Sequence, residues 1–304
     1  AQVSFTFAMA MELVIVFGFF IGAGMSTHDV VTLSTIARWF QKRRGIMTGI
    51  VKVGTAAGQF TIPPIVALLL VTYGWRSTFM VMGFTSLVLL LIAAWAIGVN
   101  SAPVRPGKDE TITGYSFSEA RGTRIFWMFC AIEFLFLPSL ATIPFHIVVH
   151  GMDLGLTATI AATLVSTMAA ASVLARLAVG SLIDRVGGKG ALILCLLTLL
   201  VSLMAFIFIS APNPLFAAMI IYGFAHGGLF TVMSPLVAEY FGLKAHGALF
   251  GSIIFFGTIS GSIAPILAGY IFDTTGSYSI AFYILLTMAL IGLFLTLQLP
   301  RHSD

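Results

Sequence analysis

The sequence predicts an all-α fold, a polytopic membrane protein built as a helical bundle, and three observations carry that prediction. Of the 304 residues, 59% are apolar and 9% charged, with a mean hydropathy of +1.06, whereas a soluble globule carries about 25% charged residues. The apolar residues collect in runs of the roughly 20 residues a helix needs to cross the hydrocarbon layer. They lack the period-two alternation of an outer-membrane barrel. The 30 glycines agree, because small residues let helices approach closely where no hydrophobic force drives them together.

Nine visible spans follow in order. They are expected at about 13–36, 47–71, 78–98, 125–147, 157–180, 191–210, 214–238, 248–270 and 279–298. The first ends at the basic loop Arg38–Gly45, and the second and third are separated by the turn Gly74-Trp75-Arg76. A long connection with Pro103, Pro106 and Gly107 then leads to the fourth, which Pro138 and Pro144 should kink. The fifth and sixth are divided by a polar hairpin ending in Gly187-Gly188, and the seventh ends at Tyr240-Phe241-Gly242. The last two flank Asp273–Tyr278.

The net charge of +4 would suggest a nucleic-acid partner in a soluble protein. Here the basic residues sit in short loops and report orientation, so no nucleic acid is expected. Alternate connections hold twelve Lys and Arg on one side and Arg76 alone on the other. By the cytoplasmic excess of basic residues, the hairpin loops and the C-terminus are cytoplasmic, in a plasma or bacterial inner membrane. Cys130 and Cys195 fall within apolar runs and read as core thiols.

An internal repeat relates Phe40, Gly45, Gly49, Gly54, Gly58 and Pro63 to Phe241, Gly247, Gly251, Gly257, Gly261 and Pro265, at shifts of 201 to 203 residues. It predicts a front segment of about 78 residues with three further spans, by the parallel-repeat logic of transporters, and so twelve spans in two halves. The expected division is 1–99 for the rest of the first half, 100–123 for a cytoplasmic linker and 124–304 for the second half.

The hairpin Gly180-Ser-Leu-Ile-Asp184-Arg185-Val-Gly187-Gly188-Lys189 carries the strongest motif. Its glycines allow a short turn, Asp184 can bond the free donors of a neighbouring helix start, and Arg185 and Lys189 stay in the cytoplasm. Such a charge lock could hold one gate conformation. With the Trp39–Gly45 loop, Gly74-Trp75-Arg76 and the glycine runs at 45–58 and 247–261, the chain resembles the major facilitator superfamily over essentially its whole length. Within it, the chain is similar to the monocarboxylate and oxalate/formate transporter branch, and the visible spans would be the fourth to twelfth.

Arg176 lies eight residues before Asp184, about 12 Å along a helix, and therefore near mid-membrane. A guanidinium keeps its charge there, so it needs a partner. That partner is Glu133 in a structural pair, snorkelling to water, or a substrate carboxylate matched by the planar fork. The resemblance implies the last, since an arginine at this point of the eighth span serves that role in the branch. Ser172 stands where the monocarboxylate branch has an aspartate, and residues 248–270 lack the lysine of the oxalate branch.

Glu133 is a second candidate, as a counter-ion or a proton carrier. His226, among small neighbours, could donate to substrate or titrate, and His28 with Asp29 could line the cavity from the other half. Lys52 could reach the cavity or snorkel. His146 and His150 are expected near the outer surface. No phosphate-cradling loop, zinc spacing or nucleophile elbow appears, so neither an enzyme nor a cofactor or metal site is expected. The predicted function is secondary transport of small organic anions, mono- or dicarboxylates, by alternating access, with a coupled proton or counter-anion. The alternatives are an exporter of a neutral or cationic compound and a nontransporting truncated membrane protein.

Overall fold

The computed structural model describes residues 11, 14–40, 42–100 and 114–300. A π-helical segment, Val14–Ile21, runs into α1 (Gly22–Trp39). Then come α2 (Arg44–Asn100), the short α3 (Phe117–Arg121), α4 (Arg124–Asp153), α5 (Ala158–Phe208), α6 (Pro212–Phe241), α7 (His246–Thr275) and α8 (Ser279–Gln298). Among the described residues six helices are long and apolar enough to cross a membrane. Two of them are double crossings: α2 turns at Gly74 (φ 72°) and α5 at Gly187 (φ 80°). These six helices cover eight of the nine expected spans, and the helical stretch Val14–Trp39, which is not one of the six, lies at the place expected for the other.

The two turns fall where the sequence has glycine because a positive φ is strained for any residue with a Cβ. Side chains cap the starts of α3, α4 and α5. Ser116 and Glu119 form a reciprocal capping box at α3, and Thr123 and Thr157 accept from Phe126 and Ile160 N–H at the starts of α4 and α5. The Ser116 hydroxyl and backbone N–H hold the Glu119 carboxyl below the usual carboxylate range. Within the expected linker, residues 114–123 thus hold a short capped helix, and Tyr115 N–H ties them to the Phe241 carbonyl at the end of α6 (2.9 Å).

Large apolar side chains such as Leu68, Phe84, Leu90, Phe145, Phe208 and Ile266 are exposed. In water that surface would associate; in hydrocarbon it is the surface a spanning bundle requires. The core lies among α4 to α8 and includes Phe129, Phe136, Leu199, Phe206, Leu229 and Leu285.

Bare backbone contact joins α2 to α5. A Cβ on Gly45 would stand 2.8 Å from Asp184 Oδ1 and from Ile183 Cβ, and one on Gly180 would stand 2.6 Å from the Gly45 carbonyl oxygen. One turn on, a Cβ on Gly49 would press into the Arg176 backbone carbonyl. We therefore expect Gly49→Ala to lower the stability of the purified protein by about 1–3 kcal/mol through overpacking, read as a fall in thermal unfolding temperature. Gly269→Ala, where the nearest atom to the added carbon is His146 Cε1 at 3.7 Å, should leave that temperature unchanged or higher.

Candidate functional site

Arg176 is 1% exposed, at the seam of α2 and α5. Its Nη1 donates to the backbone carbonyl of Lys52 on α2, and its Nε is buried without a hydrogen-bond partner among the described residues. Just above, Lys52 Nζ meets Asp29 Oδ1 of α1 at 2.7 Å and stands 5.5 Å from the centre of the Phe230 ring. Lys52 is itself only 4% exposed. A buried ammonium is sustained by such a pair, which offsets the loss of its water shell.

A cavity of about 580 Å³ opens over this floor, bounded by α1, α2, α4, α6 and α7. Asp29, Lys52 and Glu133 are its charged lining groups; Phe230, Met233 and Phe250 typify the rest. Glu133 on α4 is 5% exposed, and its Oε2 has no hydrogen-bond partner among the described residues. The close approach of α7 depends on Gly257, whose added Cβ would come 2.6 Å from Glu133 Cγ.

The expected residues are thus brought together unevenly. Asp29, Lys52 and Glu133 line the cavity, while Arg176 lies below it. Arg176 and Glu133 form no ion pair among the described residues: the fork is turned toward α2, where the Lys52 carbonyl accepts from it. Of the alternatives open for Arg176, the structural pair with Glu133 is therefore set aside. His226 sits behind the cavity wall, its Nδ1 3.3 Å from Ser172 Oγ and its ring edge-on to Phe230 at 4.9 Å between centroids. The His28 side chain lies outside the described residues. Tyr222 donates to the Ser139 carbonyl at 3.0 Å, a structural bond. His146 bridges Tyr278 Oη (3.1 Å) and the Pro265 carbonyl (3.0 Å), and the His150 ring packs on Phe282.

At the hairpin, Asp184 accepts from Gly45 N–H at 2.7 Å and from Ile46 N–H at 3.0 Å, capping the start of α2. Gly180 supplies the close contact with Gly45, and Gly187 the turn. Lys189 Nζ donates to the Leu297 carbonyl at 3.0 Å and to that of Leu299, clamping the end of α8. Arg185 lines a separate cavity of about 1,010 Å³ with Lys42 and Arg44. Glu239 escaped the sequence reading: its Oε2 accepts from Gly188 N–H at 2.8 Å, so it caps the second half of α5 as Asp184 caps α2. Its signal was an acid at the end of a span, opposite a Gly-Gly turn. Phe230 was missed too, because one phenylalanine among 27 carries no mark of its own.

A two-crossing hairpin, a capped partner helix and a central polar floor under an apolar-walled cavity define a polytopic helical membrane bundle. The chain belongs to the Major Facilitator Superfamily, whose profile matches residues 1–212 and 151–304. It is similar to monocarboxylate transporter 13 of Rattus norvegicus (29% identity over 93% of this chain and 66% of that one). It is also similar to monocarboxylate transporter 11 of Homo sapiens (26%, 99% and 67%) and to the MFS transporter asaE of Aspergillus flavus (24%, 80% and 55%). The chain therefore spans about two thirds of the length of the monocarboxylate transporters it matches. In fold it is similar to the crystal structure of the MFS transporter FucP in the outward conformation, with TM-score 0.71 and 15% identity over 98% of this chain and 78% of that one.

Removing the Asp184 cap should loosen the seam. Hydrogen bonds to a charged group contribute about 1.5–3 kcal/mol each, so Asp184→Ala should raise the labelling rate of a cysteine placed at Ile183, which is 7% exposed, by about tenfold or more. An unchanged rate would show that the seam stands without the cap.

Proposed function

We propose that the protein is a secondary transporter of small organic anions, carrying a carboxylate by alternating access between a half that includes residues 1–99 and a half formed by 124–304, with 100–123 as linker. The observation that carries this reading is Arg176, a buried guanidinium beneath the central cavity and outside its lining, with its Nε unpartnered among the described residues. A buried charged donor left unmade is costly, and a carboxylate reaching the floor would satisfy it. Lys52 would share the load, because an ammonium offers three donors and Asp29 Oδ1 takes one. The twelve-to-one distribution of basic loop residues supports a cytoplasmic hairpin and C-terminus in the cell membrane, with the closed seam facing the cytoplasm.

In this reading Glu133 is the proton-accepting group. Asp29 is paired with Lys52 at 2.7 Å, whereas Glu133 lines the same cavity with one oxygen unpartnered among the described residues. Bringing an anion in beside an ionised Glu133 would leave two like charges in a low-dielectric space, and a proton on Glu133 removes one of them.

Uptake of labelled carboxylates into proteoliposomes of the full-length protein tests the reading. Arg176→Lys keeps the charge and loses the fork, and should cut uptake at low substrate by at least about tenfold; Arg176→Ala should abolish it. Near wild-type uptake by both would sink the proposal. Uptake should rise as external pH falls, because acid loads Glu133. Glu133→Gln should flatten that pH profile while carboxylate-for-carboxylate exchange persists. A profile that keeps its slope in Glu133→Gln places the proton elsewhere.

A further inference from the structure

The second cavity, at the hairpin end of the bundle, has walls of a different chemistry from the central one. At about 1,010 Å³ it stands at the top of the range of roughly 300–1,000 Å³ in which proteins enclose small ligands. Four cations line it, Lys42, Arg44, Arg185 and Lys189, against two carboxylates, Asp184 and Glu239. Both carboxylates are committed to backbone: Asp184 accepts from Gly45 and Ile46 N–H, and Glu239 Oε2 accepts from Gly188 N–H. Their negative charge is thereby set against the positive ends of two helices. Among the described residues, neither Arg44 nor Arg185 forms an ion pair with either acid.

Such a wall suits phosphate. Guanidinium forks bind phosphate oxygens in pairs, and an ammonium adds a compact point charge. Two of the four cations are already steadied by backbone, which lowers the ordering cost of binding. Arg44 Nε donates to the Ala37 carbonyl at 3.3 Å, and Lys189 Nζ to the carbonyls of Leu297 (3.0 Å) and Leu299. The cations also stand on two sides: Lys42 and Arg44 at the start of α2, Arg185 and Lys189 at the hairpin of α5. These are the two helices whose backbones meet at Gly45 and Gly180. A single phosphate can engage one side at a time, whereas an anion with two or more phosphates can engage both.

We propose that this cavity binds a polyphosphate anion, either a soluble one or the phosphorylated headgroup of a lipid, and that the bound anion bridges Lys42 and Arg44 to Arg185 and Lys189. An anion that grips both sides binds the closed seam better than an open one, and that difference is what lets a ligand shift a conformational equilibrium. Occupancy therefore restrains the parting of α2 from α5, whatever solute the central cavity carries. The excess of basic loop residues on this side turns the cavity toward the cytoplasm, the side of the membrane on which anionic headgroups gather.

Ligand-induced thermal stabilisation of the purified full-length protein reports occupancy. Inositol trisphosphate and dioctanoyl phosphatidylinositol bisphosphate are titrated beside orthophosphate at constant ionic strength. At least one of the two polyphosphates should half-saturate at a concentration about tenfold or more below orthophosphate. Equal affinity of the two assigns a soluble occupant, and tighter binding of the lipid assigns a headgroup from the bilayer. Lys42→Gln and Arg185→Gln, both at exposed positions, should each weaken the tighter polyphosphate by about fivefold or more. Arg121→Gln, which removes an exposed cation outside the cavity lining, should not. For the bridge, a cysteine replaces Thr48, which is 1% exposed on α2 and does not line the cavity, so its labelling requires the packing around α2 to open. At ten times its half-saturating concentration, a ligand that binds only the closed seam should slow that labelling about tenfold. Orthophosphate binding as tightly as both polyphosphates, no stabilisation by either, or equal weakening by Arg121→Gln overturns the site. Labelling of Thr48→Cys that ignores a bound polyphosphate overturns the bridge. Carboxylate uptake is a separate measurement, and its failure leaves this site standing.

Discussion

A guanidinium that cannot lose its proton, buried to 1% exposure within a hydrocarbon-spanning helix, is the constraint around which the rest of the seam is built. Left alone at that depth it would cost at least about 2.5–3.5 kcal/mol. The structure brings another helix's backbone to it: the Lys52 carbonyl of α2 accepts from Arg176 Nη1. That bond is possible only because α2 and α5 run almost in backbone contact, and Gly45, Gly49 and Gly180 are what permit it. Asp184 holds the same two helices together at the hairpin end by capping α2. A motif that reads in sequence as a surface turn and an arginine that reads as a binding residue are therefore two ends of one contact.

The spans were legible because their signals are long and redundant. Runs of about 20 apolar residues, bounded by basic loops and broken at glycines, place nine crossings without any tertiary information. The two turns were legible for a sharper reason, since Gly74 and Gly187 take φ of 72° and 80° that other residues resist. Asp184's role could be read because a helix start needs acceptors and the motif supplies one at a fixed place. The orientation of the Arg176 side chain could not. Both Glu133 and the α2 backbone were chemically adequate partners, and choosing between them depends on which helix the guanidinium faces, a fact of packing rather than of spacing. Lys52 shows the same gap: about 10 Å from the end of its helix, it could snorkel as well as pair, and its pairing with Asp29 required α1 to lie beside α2.

The central site divides its work among groups of different depth. Arg176 lies at the base, Lys52 and Asp29 form an ion pair above it, and Glu133 faces them from α4. In the proposed cycle a carboxylate reaching the floor would compete for the guanidinium with the Lys52 carbonyl that ties α2 to α5. Substrate occupancy and the grip of the seam would then draw on the same donor. Such sharing gives a ligand differential affinity for two conformations, the condition any ligand must meet to shift an equilibrium between them.

Ser172 clarifies why the acid sits where it does. A carboxylate at that position, one turn before Arg176 on the same face of α5, would pair with the guanidinium directly and satisfy the Nε that is now unpartnered. The serine instead lies 3.3 Å from His226, and the acids nearest the site come from other helices, Asp29 from α1 and Glu133 from α4. An acid fixed to the arginine's own helix would travel with it and keep the same pairing through the cycle. Acids on separate helices can change their distance from Arg176 as the helices move, so in the proposed transport their charge state and the seam's closure become linked by geometry. In the proposed cycle the serine would leave Arg176 as the anion anchor and pass any proton coupling to Glu133, the cavity-lining carboxyl that the ion pair at Lys52 does not occupy.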